Sequence, residues 1–231
     1  MSERILVVED ELAVIEMLQD SLSYAGYQVA VARDGQQALA MLKESYFNLV
    51  ILDVVMPRLN GLETLQKIRK TSSIPVLMLT GRDAELDQVQ GLELGADDYI
   101  IKPSSMAVIR ARVRSALRRA KQPPSPTEPK LVFGDGALVI DQKRSEVYSG
   151  GQPAFLTPTE YRLLLYLIAN AGQIIPHREM LAAVWGPGYE DPEVLKIFIF
   201  RLRAKIEPDP SLPHYIKTKR GRGYYFNLSS G

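Results

Sequence analysis

The chain has 231 residues, enough for one or two domains, and it lacks cysteine, which excludes disulfides, zinc thiolate centres and cysteine nucleophiles. Its 46% apolar and 24% charged residues are typical of globular proteins. Because the sequence has neither a bilayer-length apolar run nor a secretion signal, we expect a cytoplasmic protein without a membrane segment. Residues 192–231 hold eight Lys and Arg against three Asp and Glu, which indicates an anionic partner near the carboxyl end.

Residues 121–129 contain four prolines. Proline cannot continue a helix or join the interior of a sheet, so this segment is predicted to be a semi-stiff linker. It separates residues 1–120 from residues 130–231, and each part is large enough to bury a core of its own.

The first part alternates between strand and helix patterns. Helical patterns separate the predicted strands, and a stripe of Leu12, Ile15, Leu18 and Leu22 is expected to face the core. This alternation predicts an α/β doubly wound, flavodoxin-like sheet of five parallel strands that binds ligands beyond the carboxyl ends of its strands. The strands are expected near 4–8, 28–31, 48–53, 75–80 and 97–101.

Two of these strands end in carboxylates. Glu9 and Asp10 follow the first strand, and Asp53 ends the third. Like charges that meet at one sheet edge are costly unless a cation lies between them, so the pattern predicts a site for a hard metal ion. Thr80 and Lys102 are also expected at or just past strand ends, on the same edge of the sheet.

Four motifs place the first part in a known family. They are VVEDE at 7–11, LDVVMPRLNG at 52–61, LTGR at 79–82 and GLELGADDYIIKP at 91–103. With these motifs in this order, residues 1–120 resemble the receiver domain of bacterial two-component response regulators. The resemblance implies a flavodoxin-like fold, a sensor histidine kinase as partner and a cis peptide bond between Lys102 and Pro103.

The resemblance also implies a role for each motif residue. Asp53 would accept the phosphoryl group, and Lys102 and Thr80 would bind it. Mg²⁺ would be held by Glu9, Asp10, Asp53 and the backbone carbonyl of Val55. Thr80 and Tyr99 would act as the switch that reads the new charge. The only chemistry implied is self-phosphorylation and autodephosphorylation at Asp53, so we do not expect an enzyme acting on other substrates.

Receivers of this kind pair through the fourth helix, fifth strand and fifth helix, which implies a homodimer of the phosphorylated chain. An ion pair of the family is replaced by neutral Gln88 and Val108, so a weaker or differently registered dimer is expected. The residues assigned to this face are Gln88, Asp97, Asp98, Val108, Arg112 and Arg119.

The second part begins with short alternating segments near 131–133, 137–141, 145–148 and 153–156, which predict a small antiparallel sheet. Thr157, Pro158 and Glu160 form the signature of a capped helix start. Helical patterns follow at 158–171, 177–185 and 192–206, and a hairpin is expected at 214–218 and 223–228. These elements describe an α+β winged helix-turn-helix domain.

Motifs throughout the second part carry a second resemblance. They are LTPTEYRLL at 156–164, REMLAAVWG at 178–186, RLRAKIEP at 201–208 and YIKTKRGRGY at 215–224. Residues 130–231 resemble the DNA-binding domain of the OmpR/PhoB class. The resemblance implies that residues 192–206 are a recognition helix in the major groove of promoter DNA, and that the turn at 219–223 is a wing over the minor groove.

The DNA-binding residues assigned on this basis lie on the recognition helix and the wing, where Gly221 and Gly223 would let the turn approach DNA. Leu195, Ile199, Leu202, Ile206 and Trp185 are assigned to the core. The assigned DNA-binding set is Lys196, Phe198, Arg201, Arg203, Lys205, Lys217, Thr218, Lys219, Arg220 and Arg222.

Phe198 and Phe200 depart from the class pattern, because a helix with one apolar face already cannot easily bury both. Three explanations remain open. They are contact with thymine methyl groups and sugars, packing on a neighbouring protomer or the wing, and an effector domain that meets protein such as RNA polymerase more than DNA.

The sequence therefore predicts a response regulator that acts as a transcription factor, with a sensor kinase, promoter DNA and RNA polymerase as partners. The alternative is a phosphorylation-independent regulator or scaffold that binds protein partners through the altered dimer face and recognition helix.

Overall fold

The computed structural model describes residues 2–81, 85–121 and 130–228. The chain divides into two compact units, Met1–Arg118 and Arg119–Gly231. Of the predicted linker at 121–129, residues 122–129 lie outside the described residues, so the linker and the domain bounds stay predictions. In the described part of the chain, no helix is both long and apolar enough to cross a membrane.

The first unit is a five-stranded parallel sheet in the order β2-β1-β3-β4-β5, with a helix after each strand. This arrangement confirms the predicted fold, since a crossover helix is how parallel neighbours are joined. The elements are β1 (Arg4–Val8), α1 (Leu12–Tyr24), β2 (Gln28–Ala32), α2 (Gly35–Glu44), β3 (Leu49–Asp53), α3 (Gly61–Arg69), β4 (Val76–Gly81), α4 (Glu85–Glu93), β5 (Asp98–Lys102) and α5 (Met106–Lys121).

A core of aliphatic side chains lies between this sheet and helices α1 and α5, and it includes Leu18, Leu22, Ile51, Leu79 and Val113. β3 is buried along its whole length, as expected for a central strand covered on both faces. The prediction that Leu12 joins the buried stripe of α1 is wrong. Leu12 is the first residue of the helix, and its side chain is exposed.

Within residues 130–228, the second unit has two antiparallel sheets and three helices, which confirms a winged-helix fold. One sheet has the order β6-β7-β8-β9, and the other is the terminal hairpin of β10 and β11. The elements are β6 (Lys130–Phe133), β7 (Leu138–Asp141), β8 (Glu146–Ser149), β9 (Gln152–Pro153), α6 (Pro158–Ala169), α7 (His177–Val184), α8 (Pro192–Ile206), β10 (Ile216–Lys219) and β11 (Gly223–Phe226).

β9 is shorter than the predicted strand at 153–156. Pro153 has no N–H to donate, and the ladder to β8 ends there apart from one bond from the amide of Ala154 to the carbonyl of Val147. The chain then turns into α6. Thr157 and Glu160 form the predicted capping box, in which each side chain accepts a bond from the other residue's amide.

Candidate functional site

The ends of β1 and β3 bring three carboxylates together. Val8 pairs with Leu52 in the parallel ladder, so Glu9 and Asp53 emerge side by side at the sheet edge. One carboxylate oxygen from each of Glu9, Asp10 and Asp53 lies within 4.8 Å of the others. Glu9 and Asp53 are buried, whereas Asp10 is exposed. The cluster therefore opens to solvent on the side of Asp10.

Lys102, the last residue of β5, neutralises part of this cluster. Its Nζ lies 2.6 Å from Glu9 Oε2 and 2.7 Å from Asp53 Oδ1. Burial lowers the pKa of Lys102, but hydrogen bonds to Asp53 and Glu9 raise it by more, so the ammonium group stays charged. One cation thus contacts two buried carboxylates that would otherwise repel each other.

Asp53 has an unusual carboxylate environment. Burial raises its pKa to about 6, an effect that the charges of Glu9 and Asp10 reinforce and that Lys102 opposes. Three carboxylates meet one lysine here, so the cluster holds more negative charge than Lys102 alone balances. A donor set made only of carboxylate oxygens is the type that Mg²⁺ prefers, so the residues present fit this ion.

Thr80 lies on β4, the strand next to β3, and Tyr99 lies on β5, the strand beyond β4. The hydroxyl of Thr80 is buried and has no hydrogen-bond partner within the described residues. A buried hydroxyl without a partner is costly, which makes this group a candidate donor for a ligand. Tyr99 is half-buried, and its ring lies 6.0 Å from the guanidinium carbon of Arg112.

The loop after Asp53 is held in place by close backbone packing and one ion pair. A Cβ on Gly61 would lie 2.0 Å from the carbonyl oxygen of Asp53, so only glycine permits this approach. Arg58 has a positive φ of 67° and bonds through Nε, at 2.8 Å, to the carboxylate of Asp34. Asp34 also caps α2, because its side chain accepts from the amide of Gln37, and nothing in the local sequence signals its pair with Arg58.

The residues assigned to the dimer face are not all at the surface. Asp97 is fully buried, accepts from the amide of Val76 and pairs with Arg69 at 2.9 Å, so its assignment to the face is wrong. Asp98 is also buried and is held by Arg112 at 2.8 Å within the same chain.

Some side chains of α4, β5 and α5 are partly or fully exposed. Gln88 is half-exposed, as predicted for a surface position, and Val108 is exposed. Arg119, near the end of α5, is buried, so the structure contradicts its assignment to the exposed face. In the described part of these elements, the large apolar side chains that are exposed are Leu86, Val89, Ile101 and Val108.

Two cations of α8 form ion pairs inside the second unit. Arg201 Nη2 and Lys205 Nζ each lie 2.6 Å from a carboxylate oxygen of Glu160, which is fully buried. Arg201 is itself buried, so the structure contradicts its prediction as a DNA contact. Burial raises the pKa of Glu160, but the charges of Arg201 and Lys205 outweigh it and leave that pKa below its ordinary value.

The two phenylalanines of α8 lie in opposite environments. Phe198 is 0% exposed and packs edge to face on Trp185, with ring centroids 4.9 Å apart, so its prediction as a DNA contact is wrong. Phe200 is 62% exposed. The helix therefore buries one aromatic ring and presents the other.

The hairpin of β10 and β11 carries an exposed cationic tip. Lys219, Arg220 and Arg222 are exposed, and within the described residues they form no ion pair. Lys217 is half-exposed and Thr218 is exposed, so the predicted wing residues are all accessible.

Arg203 joins this wing to α8. Its guanidinium donates to the carbonyl of Ile216, at 2.7 Å from Nη2, and to the hydroxyl of Thr218 at 2.8 Å.

Gly223 has a role other than the predicted approach to DNA. A Cβ there would lie 1.9 Å from the carbonyl oxygen of Ile175, so this glycine lets β11 pair with residue 175 inside the protein.

Comparisons with known proteins agree with this architecture. Residues 5–114 match the family model described as response regulator receiver domain, and residues 151–226 match the model described as transcriptional regulatory protein, C terminal. The chain is 43% identical to a probable transcriptional regulator, ycf27, of Porphyridium aerugineum, over 97% of this chain and 95% of that protein. It is 41% identical to the uncharacterized transcriptional regulatory protein YrkP of Bacillus subtilis, over 99% and 100% of the two chains.

A solved structure gives the same result. The response regulator DrrB, described as a Thermotoga maritima OmpR/PhoB homolog, is 32% identical and covers 98% of this chain and 100% of its own, with a TM-score of 0.53. The chain belongs to the OmpR/PhoB class of response regulators, transcriptional regulators in which a receiver domain precedes a winged-helix DNA-binding domain.

Proposed function

We propose that Asp53 accepts a phosphoryl group from a sensor histidine kinase and that this modification controls binding to promoter DNA. The observation that carries the proposal is the position of Lys102 Nζ, 2.6 Å from Glu9 and 2.7 Å from Asp53 at one sheet edge. Phosphoryl transfer depends on charge neutralisation and positioning more than on other covalent help, and this cluster supplies both.

The reaction at Asp53 is an exchange of bonds at phosphorus. A carboxylate oxygen of Asp53 bonds to phosphorus as the phosphorus–nitrogen bond to the kinase histidine breaks, and the leaving nitrogen keeps the electron pair. Water later attacks the same phosphorus, which returns Asp53 to its free carboxylate and releases phosphate. Lys102 is placed to pair with the charge that remains on the phosphoryl oxygens.

Mg²⁺ would be held by Glu9, Asp10, Asp53 and the backbone carbonyl of Val55. When bound, the ion neutralises negative charge on the carboxylates and the phosphoryl group. The excess negative charge of the cluster and its all-oxygen donor set support this assignment.

Thr80 and Tyr99 would transmit the change. The hydroxyl of Thr80 is buried and gains an acceptor when a phosphoryl oxygen arrives. Movement of Thr80 toward Asp53 leaves room behind it for the ring of Tyr99, which repacks the surface of α4, β5 and α5.

The phosphoacceptor is tested with acetyl phosphate and Mg²⁺ on the full chain. Asp53→Asn is expected to abolish incorporation of phosphate, whereas Asp20→Asn, which changes an exposed carboxylate of α1, should leave it intact. Full labelling of the Asp53→Asn chain would assign the phosphate to another residue and reject the proposal.

We propose that the phosphorylated chain forms a homodimer through α4, β5 and α5. An apolar contact is supported by the exposed side chains of Leu86, Val89, Ile101 and Val108. Asp98 and Arg112 already pair within one chain, so this ion pair does not need a partner chain. Sedimentation should show dimers after phosphorylation and monomers after Val108→Glu. Met17→Glu on α1 is the control and should dimerise normally. Equal dimerisation before and after phosphorylation would reject this step.

The second unit would bind promoter DNA through α8 and the wing, and act there on RNA polymerase in the cytoplasm. The exposed cations Lys219, Arg220 and Arg222 support contacts to phosphate. The logarithm of affinity should therefore fall linearly with the logarithm of salt concentration, and Lys219→Ala should reduce the slope by about one. A slope near zero would reject a phosphate-anchored complex and favour the scaffold alternative, for which the exposed Phe200 is the supporting observation.

A further inference from the structure

The outer face of α8 is apolar along its centre. Ile197, Phe200 and Ala204 follow one another at spacings of three and four residues, which places them on one side of the helix. Ile197 is half-exposed, Phe200 is 62% exposed and Ala204 is exposed. The opposite side of the same helix is buried and includes Leu195, Ile199 and Leu202, so the exposed stripe is additional to the core-facing one.

The polar side chains of α8 already have partners within the protein. Arg201 and Lys205 pair with Glu160, and Arg203 bonds to the wing. Lys196 Nζ lies 2.6 Å from Glu193 Oε1 on the same helix, and that contact raises the pKa of Lys196. The helix therefore offers few uncommitted donors for hydrogen bonds to base edges.

The surroundings of this stripe favour nucleic acid as its partner. Arg203 follows Phe200 by one helical turn and fixes β10 beside the stripe. The same hairpin ends in the exposed cations Lys219 and Arg220, which suit a polyanion. An apolar stripe flanked by a cationic wing matches the major groove, where the C5 methyl of thymine is the apolar group on the base edges.

We propose that Phe200, supported by Ile197, contacts thymine methyl groups in the major groove and makes thymine the preferred base beneath the centre of α8. This inference rests on the proposed DNA-binding function and specifies what that function reads. Specificity would come from burial of methyl groups, while the wing supplies affinity that does not depend on sequence.

The test uses the full chain treated with beryllofluoride and Mg²⁺ as a phosphoryl mimic. Binding sites are first selected from a pool of randomised DNA duplexes. In the best duplex, each thymine is then replaced by uracil, which removes the C5 methyl and leaves the base-pair hydrogen bonds unchanged. Dissociation constants are measured for the wild-type chain and for Phe200→Ala.

The wild-type chain is expected to lose about fourfold in affinity for each contacted methyl that is removed. Phe200→Ala should bind the thymine duplex more weakly and should lose its sensitivity to uracil at the same positions. Lys219→Ala is the control, because the loss of a phosphate contact should weaken binding to the thymine and uracil duplexes equally. Unchanged urea unfolding of Phe200→Ala, followed by Trp185 fluorescence, shows that the domain remains folded.

Two results would overturn the inference alone. The first is equal binding of thymine and uracil duplexes by the wild-type chain. The second is full sensitivity of Phe200→Ala to uracil. Either result counts when the affinity still falls with salt concentration as expected. A selection that enriches sites without thymine has the same meaning. Failure to bind any duplex at low salt would instead overturn the proposed DNA-binding function together with this inference.

Discussion

Arg201 and Glu160 form a buried ion pair that joins α8 to α6, with 2.6 Å between Nη2 and Oε1. Glu160 is also the acceptor for Lys205 and closes the capping box of Thr157. One carboxylate thus fixes the start of α6 and two cations of α8. The orientation of α8 on the domain therefore depends on Glu160, which lies 41 positions before Arg201 in the chain.

Replacement of Glu160 by glutamine should strongly destabilise the second unit. The change leaves Arg201 buried without a counter-charge, a type of loss that costs about 3 kcal/mol of unfolding free energy. Urea unfolding followed by the fluorescence of Trp185, the single tryptophan, measures it. Glu190→Gln is the control, because its pair with Arg178 at 3.8 Å is exposed and should contribute at most about 1 kcal/mol.

The contribution of Glu160 should depend on pH in a defined direction. Its pKa in the folded protein is lowered from the ordinary value of 4.5. Stability from the ionised carboxylate is therefore fully present above about pH 4.5 and is lost as the pH falls through the lower pKa of the folded state. The stability difference between the wild-type chain and Glu160→Gln should shrink over that acidic range. A constant difference at all pH values would contradict the role of the ionised carboxylate.

The two glycines of the wing should differ in their tolerance of alanine. At Gly223, with a φ of 148°, a Cβ would lie 1.9 Å from the carbonyl oxygen of Ile175. At Gly221, with a φ of 71°, an added Cβ would meet no described atom within 4 Å apart from its chain neighbours. Gly221→Ala should cost about 1 kcal/mol from backbone strain alone, and Gly223→Ala clearly more. Equal unfolding midpoints in urea would show that the contact with Ile175 is not constraining.

The two phenylalanines of α8 should differ in their effect on stability. Phe198→Ala removes a fully buried ring that contacts Trp185 and should cost about 3 to 5 kcal/mol. Phe200→Ala changes an exposed side chain and should alter stability by less than about 0.5 kcal/mol. Both are measured by urea unfolding. A large loss with Phe200→Ala would mean that this ring packs against the domain rather than facing solvent.

Lys102 should compete with Mg²⁺ for the carboxylate cluster. Its Nζ contacts Glu9 and Asp53, two of the residues that would hold the ion. Lys102→Met removes the competing charge and should strengthen Mg²⁺ binding by about tenfold, or roughly 1.4 kcal/mol. Isothermal titration calorimetry measures the affinity, and Lys67→Met on α3 serves as the control. Weaker Mg²⁺ binding after Lys102→Met would show that the lysine organises the site instead.

The carboxylate cluster could be predicted from the sequence because strand ends are local features. Apolar runs end directly at Glu9 and Asp53, and parallel neighbours bring their carboxyl ends to one edge. The bounds of α8 at residues 192 and 206 were also predictable, since Asp191, Pro192 and the change to Glu207-Pro208 mark them locally.

The buried state of Arg201 and Asp97 could not be predicted in the same way. An arginine is expected at the surface unless a buried partner is known, and the partners here lie far along the chain. Arg201 pairs with Glu160, and Asp97 pairs with Arg69, 28 residues earlier. Local pattern alone also left the choice between Phe198 and Phe200 open, because both are apolar and only packing on Trp185 decides it.

The bond from Arg203 to the backbone of Ile216 bears on how the DNA sequence bound by this winged-helix domain could change. A main-chain carbonyl is present whatever side chain occupies the position, so most changes in the wing sequence would leave this anchor intact. The distance between helix and wing would then stay constant while the residues that touch the bases and phosphates vary. New DNA sequences could be read by substitution at exposed positions, without any change in the spacing between the two grooves contacted.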